Sequence, residues 1–400
     1  MMQLWIILAG LPVGVWIYLL AFRGHFWLEQ PRLLQAEAAQ GLSSDGQSAP
    51  AWPSVVAVVP ARNEAGVVGR AISALLRQDY PGSFRIILVD DNSHDGTAAE
   101  ARAAAAAIEA SERLTVVTGK RLVAGWTGKL WAVKQGLDQL DRQERKADYV
   151  LLTDADIDHA PDSLRQLVVR ALAGDPKAGR YKLVSLMARL RTDTFAEKAL
   201  IPAYVFFFQM LYPFAWINDP KKRMAGAAGG CMLVERKALK AVGGIAAIKD
   251  ALIDDCALGR VMKSQGPIWL GLADNVSSLR GYPTWRDIWM LIARSAFTQL
   301  NRSTLLLIGC VIGMVLTYLL PPMLTMEPDP GLRLPGIIAW SMMTISLLPC
   351  LYYYRRSVLW APLLPLIALF YLAATVDSAR RYWVGRGGEW KGRMQAKKSA

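Results

Sequence analysis

Apolar and polar positions divide the chain into three regimes. Met1 to Phe22 holds no charged residue and, as a helix, is long enough to cross about 30 Å of hydrocarbon. Three further uncharged runs, Ser303 to Met326, Leu334 to Tyr354 and Ser357 to Val376, are each long enough to span as well. Between them, short β-branched runs alternate with helix-like stretches. The order is SVVAVVP, a helix entered at Ala65, RIILVDD, an Ala-rich helix, RLTVVTG, a helix after Lys129, then YVLLTDAD and another helix. This alternation predicts an α/β domain built on a mostly parallel sheet.

The expected organisation follows. Residues 1–22 form an uncleaved transmembrane anchor, because the opening MMQLW lacks the basic start of a secretory leader. Residues 23–53 form a linker whose Ala, Gly, Ser and Pro bias disfavours packing. Residues 54–302 form the α/β domain, 303–376 a transmembrane or re-entrant bundle, and 377–400 a basic tail. One uncharged run, ALIPAYVFFFQMLYPFAWI at 199–217, lies inside the α/β region. Its prolines and terminal aromatics predict a helix lying on the membrane surface, with a buried core helix as the other reading.

Composition narrows the partners. A formal charge of +13 suits either nucleic acid or anionic lipid, and 53% hydrophobic residues with long apolar runs select the lipid surface and no nucleic acid. Four scattered cysteines exclude a disulfide framework, and three histidines make a His-rich metal centre or a Ser-His-Asp hydrolase hard to build. Any metal would rest on carboxylates. Arg23, Arg32, Arg355, Arg356 and the basic tail all favour the cytoplasm. Three full spans after a cytoplasmic domain would leave that tail outside, so the Pro-interrupted LWAPLLPLIALF is expected to be re-entrant or interfacial.

Candidate chemistry sits at the carboxyl ends of predicted strands, where open α/β sheets bind ligands. YVLLT runs into Asp154 and Asp156, oxygen ligands two residues apart that can share a hard cation such as Mg²⁺ or Mn²⁺. RIILVDDNSHDGT ends on Asp90 and Asp91, whose carboxylates can accept hydrogen bonds from a base edge or a ribose. Turn chemistry explains the Asn, Ser and Gly there without explaining two adjacent acids. VVPARNEAG places Pro60, Arg62 and Glu64 in a polar turn after the first strand. Asp254 and Asp255 open a helix, where acids suit the dipole and where one could also serve as a general base. GWTGKLWAVKQG lacks the glycine spacing and the Ser/Thr of a P-loop, which excludes that class of NTPase and leaves Lys129 as a diphosphate contact or a solvated helix-face lysine.

Taken in order, VVPARNEA, VDDNSHDGT, GWTGKLWAVKQG, LLTDADIDHAPDSL, GGCMLVERKALKAVGGI and IDDCALG resemble the motif series of the family 2 glycosyltransferases, which have the GT-A fold. The resemblance covers Val55 to Gly266. The anchor, FFFQMLYPF, RSAFTQLNRS and the closing SARRYW and GEWKGR resemble in particular the bacterial hopanoid-associated members, with ceramide glucosyltransferases more distant.

The resemblance implies a Rossmann-like GT-A domain, Asp91 with Asp90 near the nucleotide base, and Glu64 beside them. It implies Asp154 and Asp156 as the D-x-D pair, with Asp156 holding the divalent cation. Asp255 matches the base of the family's E-D motif, and Asp254 stands where the family has Glu. Processive members carry Q-x-x-R-W; this chain has Arg294, Gln299 and Arg302 without a following Trp, which implies a single transfer. Arg294 is then a diphosphate contact or a lipid-facing cation.

The implied activity is a multi-pass enzyme of the inner (plasma) membrane with a cytoplasmic catalytic domain. It would move a sugar from a nucleotide diphosphate sugar, a UDP-sugar first among donors, to a lipid acceptor of hopanoid or glycolipid biosynthesis, with Mg²⁺ or Mn²⁺. A polyprenyl-phosphate sugar synthase, a polysaccharide synthase and a non-catalytic scaffold are the rival readings.

Overall fold

The computed structural model describes residues 2–28, 31–33, 52–143, 147–385, 389–390 and 393–394. The expected linker 34–51 and the tail at 386–388, 391–392 and 395–400 lie outside the described residues. The chain forms two compact units. One comprises Pro31–Arg191, Trp216–Arg280 and Glu389–Ala400, the other Met1–Gln30, Thr192–Ala215 and Gly281–Gly388. Residues 281–302 and 192–215, expected in the α/β domain, therefore fall in the helical unit.

The α/β unit is built on β1 (Val55–Ala61), β2 (Phe84–Asp90), β3 (Leu114–Thr118), β4 (Tyr149–Thr153), β5 (Ile157–His159), β6 (Leu183–Arg189), β7 (Cys231–Glu235) and β8 (Ile268–Ser278). They form one sheet in the order β3-β2-β1-β4-β7-β6-β8-β5. The β1/β2, β1/β4, β2/β3 and β6/β8 pairs are parallel, while β4/β7, β6/β7 and β5/β8 are antiparallel. The expected mostly parallel, Rossmann-like GT-A sheet is present. β1 and β4 are buried along their whole length, which is why they read as continuous apolar runs rather than alternating ones.

Helices α1 (Val68–Leu76), α2 (Thr97–Ala106), α3 (Gly128–Arg142), α4 (Ser163–Ala173) and α5 (Asp254–Lys263) flank the sheet. The Ala-rich run is α2, a crossover helix whose small Ala101 and Ala105 are buried in the core. In α3, Gly136 lets the helix lie close on the sheet, since a Cβ there would come within 2.5 Å of Val58 Cγ1.

In the helical unit, three segments are long and apolar enough to cross a membrane: Thr304–Leu324, Pro330–Tyr353 and Val358–Trp383. A shorter apolar helix covers Ala9–Phe22. The run expected to be re-entrant lies within the 26-residue Val358–Trp383 segment, which is long enough to cross by length and composition. Pro362 sits in its opening 3₁₀ turn and Pro365 in the first α turn, where a missing N–H costs little. The end of this segment packs beside the start of Thr304–Leu324: Phe297 stacks on Tyr382 and Trp383 and joins Leu307 and Ala379 in one cluster. The run from 199 enters the helix Phe195–Leu211, which is buried on most faces within this unit, with Cys350 Sγ near Pro202 O and Tyr371 Oη donating to Leu200 O.

Gly136→Ala should lower thermal stability, because its methyl overlaps the β-branched Val58 inside a packed core; we expect a loss of roughly 1–3 kcal/mol, read as a drop in the apparent Tm of the detergent-solubilised protein.

Candidate active site

Three strand ends and two helix starts converge at one edge of the α/β unit. β4 ends in a turn that carries Asp154 and Asp156 into β5. Because β5 pairs with the end of β8, Leu279 N donates to Asp156 O at 2.7 Å, and the residue after it, Arg280, is delivered to the same turn. Arg280 Nε donates to Asp156 Oδ2 at 2.6 Å, and its Nη2 donates to Glu64 Oε2 at 2.5 Å. Glu64 is itself fixed by its backbone N–H, which donates to Thr97 Oγ1 at 2.8 Å. One guanidinium thus ties the turn after β1 to the turn after β4.

Lys129 makes the second tie. Thr127 caps α3 by accepting from Leu130 N, which sets Lys129 in the first turn of the helix. Its ammonium lies 2.9 Å from Asp154 Oδ1 and 3.2 Å from Asp254 Oδ2. Burial alone would push this ammonium down, but Asp154 and Asp254 outweigh it and hold Lys129 above the usual lysine range. Burial also pushes the Asp154 carboxyl up, against the pull of Lys129.

The two adjacent acids of α5 differ in surroundings. Asp254 is paired with Lys129, whereas Asp255 accepts from Gly229 N at 3.0 Å through Oδ2 and from Cys256 N at 2.7 Å through Oδ1. Burial, then the charge of Asp254, pushes Asp255 up to about 6, with Lys129 and the two N–H donors opposing. Gly229 packs closely here, since a Cβ would lie 3.3 Å from Lys129 Nζ and 3.4 Å from Asp255 Oδ2. Pro60, Lys129, Thr153, Asp154, Gly229 and Asp254 line one cavity.

The remaining residues singled out in the sequence fall in three places. Asp91 is fully buried, its N–H donating to Ala61 O, with Arg62 Nη1 3.8 Å from its Oδ2 and donating to its carbonyl at 2.5 Å. Asp90 does turn work: its Oδ1 accepts from both the N–H and the hydroxyl of Ser93. Arg294 lies in the helical unit, at the end of the helix Trp285–Ala293. Sequence reasoning missed Arg280. A basic residue immediately after a strand, in SSLRGYPT, was its only signal.

Among the described residues, no group of three or more His, Cys, Asp or Glu side chains forms a metal cage. Mg²⁺ does not need one. It keeps several waters and is usually held by one or two carboxylates plus substrate phosphates, so the hard oxygen donors of Asp154 and Asp156 fit a divalent cation of this kind.

The profile described as "Glycosyltransferase like family 2" matches residues 53–269, more than half of the chain, and the chain belongs to that family. It is 29% identical over 255 residues to the beta-monoglucosyldiacylglycerol synthase of Synechocystis sp., covering 61% of this chain and 48% of that protein. It is also 29% identical over 146 residues to the undecaprenyl-phosphate 4-deoxy-4-formamido-L-arabinose transferase of Aeromonas hydrophila subsp. hydrophila, covering 36% of this chain and 40% of that one. The chain thus spans less than half the length of either relative. Among solved structures, it is similar to a mannosyltransferase from Pyrobaculum calidifontis in complex with GDP-Man and Mn²⁺, at 17% identity and a TM-score of 0.49, over 95% of this chain and 99% of that one.

Lys129→Met should destabilise the fold by about 3 kcal/mol at neutral pH, because it leaves Asp154 and Asp254 close together without their shared cation. The loss should shrink on acidification, as the stranded carboxyls take up protons. Thermal denaturation of variant and wild type across a pH series checks both points.

Proposed function

We propose that this chain is a membrane-bound, inverting glycosyltransferase that moves one sugar from a nucleotide diphosphate sugar to a lipid acceptor. The observation that carries the reading is the convergence of Glu64, Asp154, Asp156, Asp254 and Asp255 around Lys129 and Arg280 in a family 2 chain. Five carboxylates facing two cations leave three negative charges in excess. An anionic diphosphate is repelled by such a site unless a divalent cation enters with it. Asp156, with Asp154, would hold Mg²⁺ or Mn²⁺, and the bound cation would supply electrostatic stabilisation of the departing nucleoside diphosphate.

The chain's own residues do the rest. Asp91 and Glu64, at the ends of neighbouring parallel strands, face the nucleoside side of the donor. Lys129 and Arg280 are the cations within reach of a diphosphate. Asp255 accepts the proton of the acceptor hydroxyl, which attacks the anomeric carbon opposite the leaving group and inverts it. Of the two adjacent acids, Asp255 suits the role because its affinity for protons lies near neutrality and Asp254 is engaged by Lys129. The names of both curated relatives specify lipid-linked acceptors, which supports a lipid acceptor here, and we take a hopanoid or related glycolipid precursor as its class. The three apolar helical segments support a membrane location, with one of them re-entrant so that the catalytic unit and basic tail share the cytoplasmic side of the inner membrane.

Incubating the full chain in membranes with a panel of UDP- and GDP-sugars, with Mn²⁺ or EDTA, tests the reading through nucleotide release and lipid-extractable label. Metal-dependent label in the lipid fraction is the expected result. Silence across the panel with acceptor lipids present would overturn it. Asp255→Asn should abolish transfer and leave donor binding close to wild type. In the wild type, transfer should rise with pH through about 6, because below that point the Asp255 carboxyl is protonated and cannot accept a proton. Asp156→Ala should weaken metal-dependent donor binding, measured by calorimetry.

A further inference from the structure

Thr153, the last residue of β4, is 2% exposed and immediately precedes the acidic turn. Its hydroxyl donates to Gly230 O at 2.8 Å and lies 3.0 Å from His159 Nε2, at the far end of that turn. With its own proton committed to Gly230, the hydroxyl accepts from His159, which fixes the neutral Nε2–H tautomer. Burial supports that state by pushing the imidazole down to about 4. Behind the ring, Ser163 Oγ lies 3.4 Å from Nδ1 and donates to Gln78 Oε1 at 3.0 Å, while Gln78 Nε2 donates to Ala160 O at 2.8 Å. His159, Ser163 and Gln78 are all buried.

Two functional segments meet at this one hydroxyl. On one side His159 closes the loop that carries Asp154 and Asp156. On the other, Gly230 follows Gly229, whose N–H holds Asp255. Gly230 also packs against the start of β5, since a Cβ there would lie 3.1 Å from Ile157 Cδ1. We infer that Thr153 and His159 are positioning residues that hold the cation-binding turn and the base-holding Gly229–Gly230 segment in one fixed relation, so that donor and base are placed together. The inference rests on the glycosyltransferase reading for its chemistry, but its mechanical part does not.

Amide hydrogen exchange on the full chain in detergent tests the mechanical part without any ligand. Thr153→Val keeps the shape and removes the hydroxyl, stranding both partners, and should speed exchange roughly tenfold in both 154–159 and 228–232. His159→Leu should loosen 154–159 and leave 228–232 near wild type. Thr153→Ser, which keeps the hydroxyl, should resemble wild type in both. Unchanged exchange at 228–232 in Thr153→Val, or at 154–159 in His159→Leu, would overturn the coupling.

Kinetics then test its use. Thr153→Val should raise the donor KM and lower kcat, each by roughly tenfold, and serine should restore both. A fall in kcat with KM unchanged would reduce the effect to a smaller folded fraction and overturn the positioning role. A wild-type chain that shows the expected exchange pattern but turns over no donor would sink the transferase reading and leave the clamp standing.

Discussion

The site depends on one buried ammonium. Lys129 lies between Asp154 at the end of β4 and Asp254 at the start of α5, two segments a hundred residues apart in sequence that would otherwise repel. Like charges this close in a partly desolvated edge cost several kcal/mol, and only a cation placed between them makes the arrangement stable. The rest of the architecture serves that placement. The Thr127 cap sets the first turn of α3, Gly136 lets the helix lie close on β1, and Gly229 leaves room beside the Nζ. Arg280 repeats the solution on the other side, where it pairs with Asp156 and Glu64 at once.

Much of the fold was legible because its elements are local. β1 and β4 are fully buried apolar runs and β2 is nearly so, β2 ending on Asp90 and β4 running into Asp154, while α1 and α3 each carry a single apolar stripe. Periodicity reads both signals without tertiary knowledge. The second half of the sheet was harder, because β7 and β5 run antiparallel to their neighbours and an antiparallel insertion leaves no mark in the pattern. The prolines of Val358–Trp383 are hard to read for a related reason. Prolines signal a break in sequence, but in an opening turn they continue a helix without strain.

The acids of the site were legible and their cations only half so. An acid after a strand stands out against an apolar run, as Asp154 and Asp156 do, while Asp254 and Asp255 stand out as a pair at a helix start. Lys129 was ambiguous because a lysine in a first helical turn is ordinary on a solvated face. Arg280 and His159 were illegible. Their roles arise only once β5 pairs with β8 and the acidic turn folds back on Thr153. Long-range pairing is a property of topology, and a single sequence shows it only through the residues that pairing leaves unpatterned.

Placing two acids side by side at the start of α5 and giving them different partners also separates their chemistry. Asp254 shares Lys129 with Asp154 and acts as part of the charge framework. Two backbone N–H groups orient Asp255, and burial, then the neighbouring carboxylate, raises its affinity for protons. Two carboxyls with contrasting environments can then take different roles at one pH, one fixed as a counter-charge and one able to gain and lose a proton. Asp254 meets Lys129 at 3.2 Å, so the lysine that joins α5 to the end of β4 also fixes in place the charge that, after burial, raises Asp255.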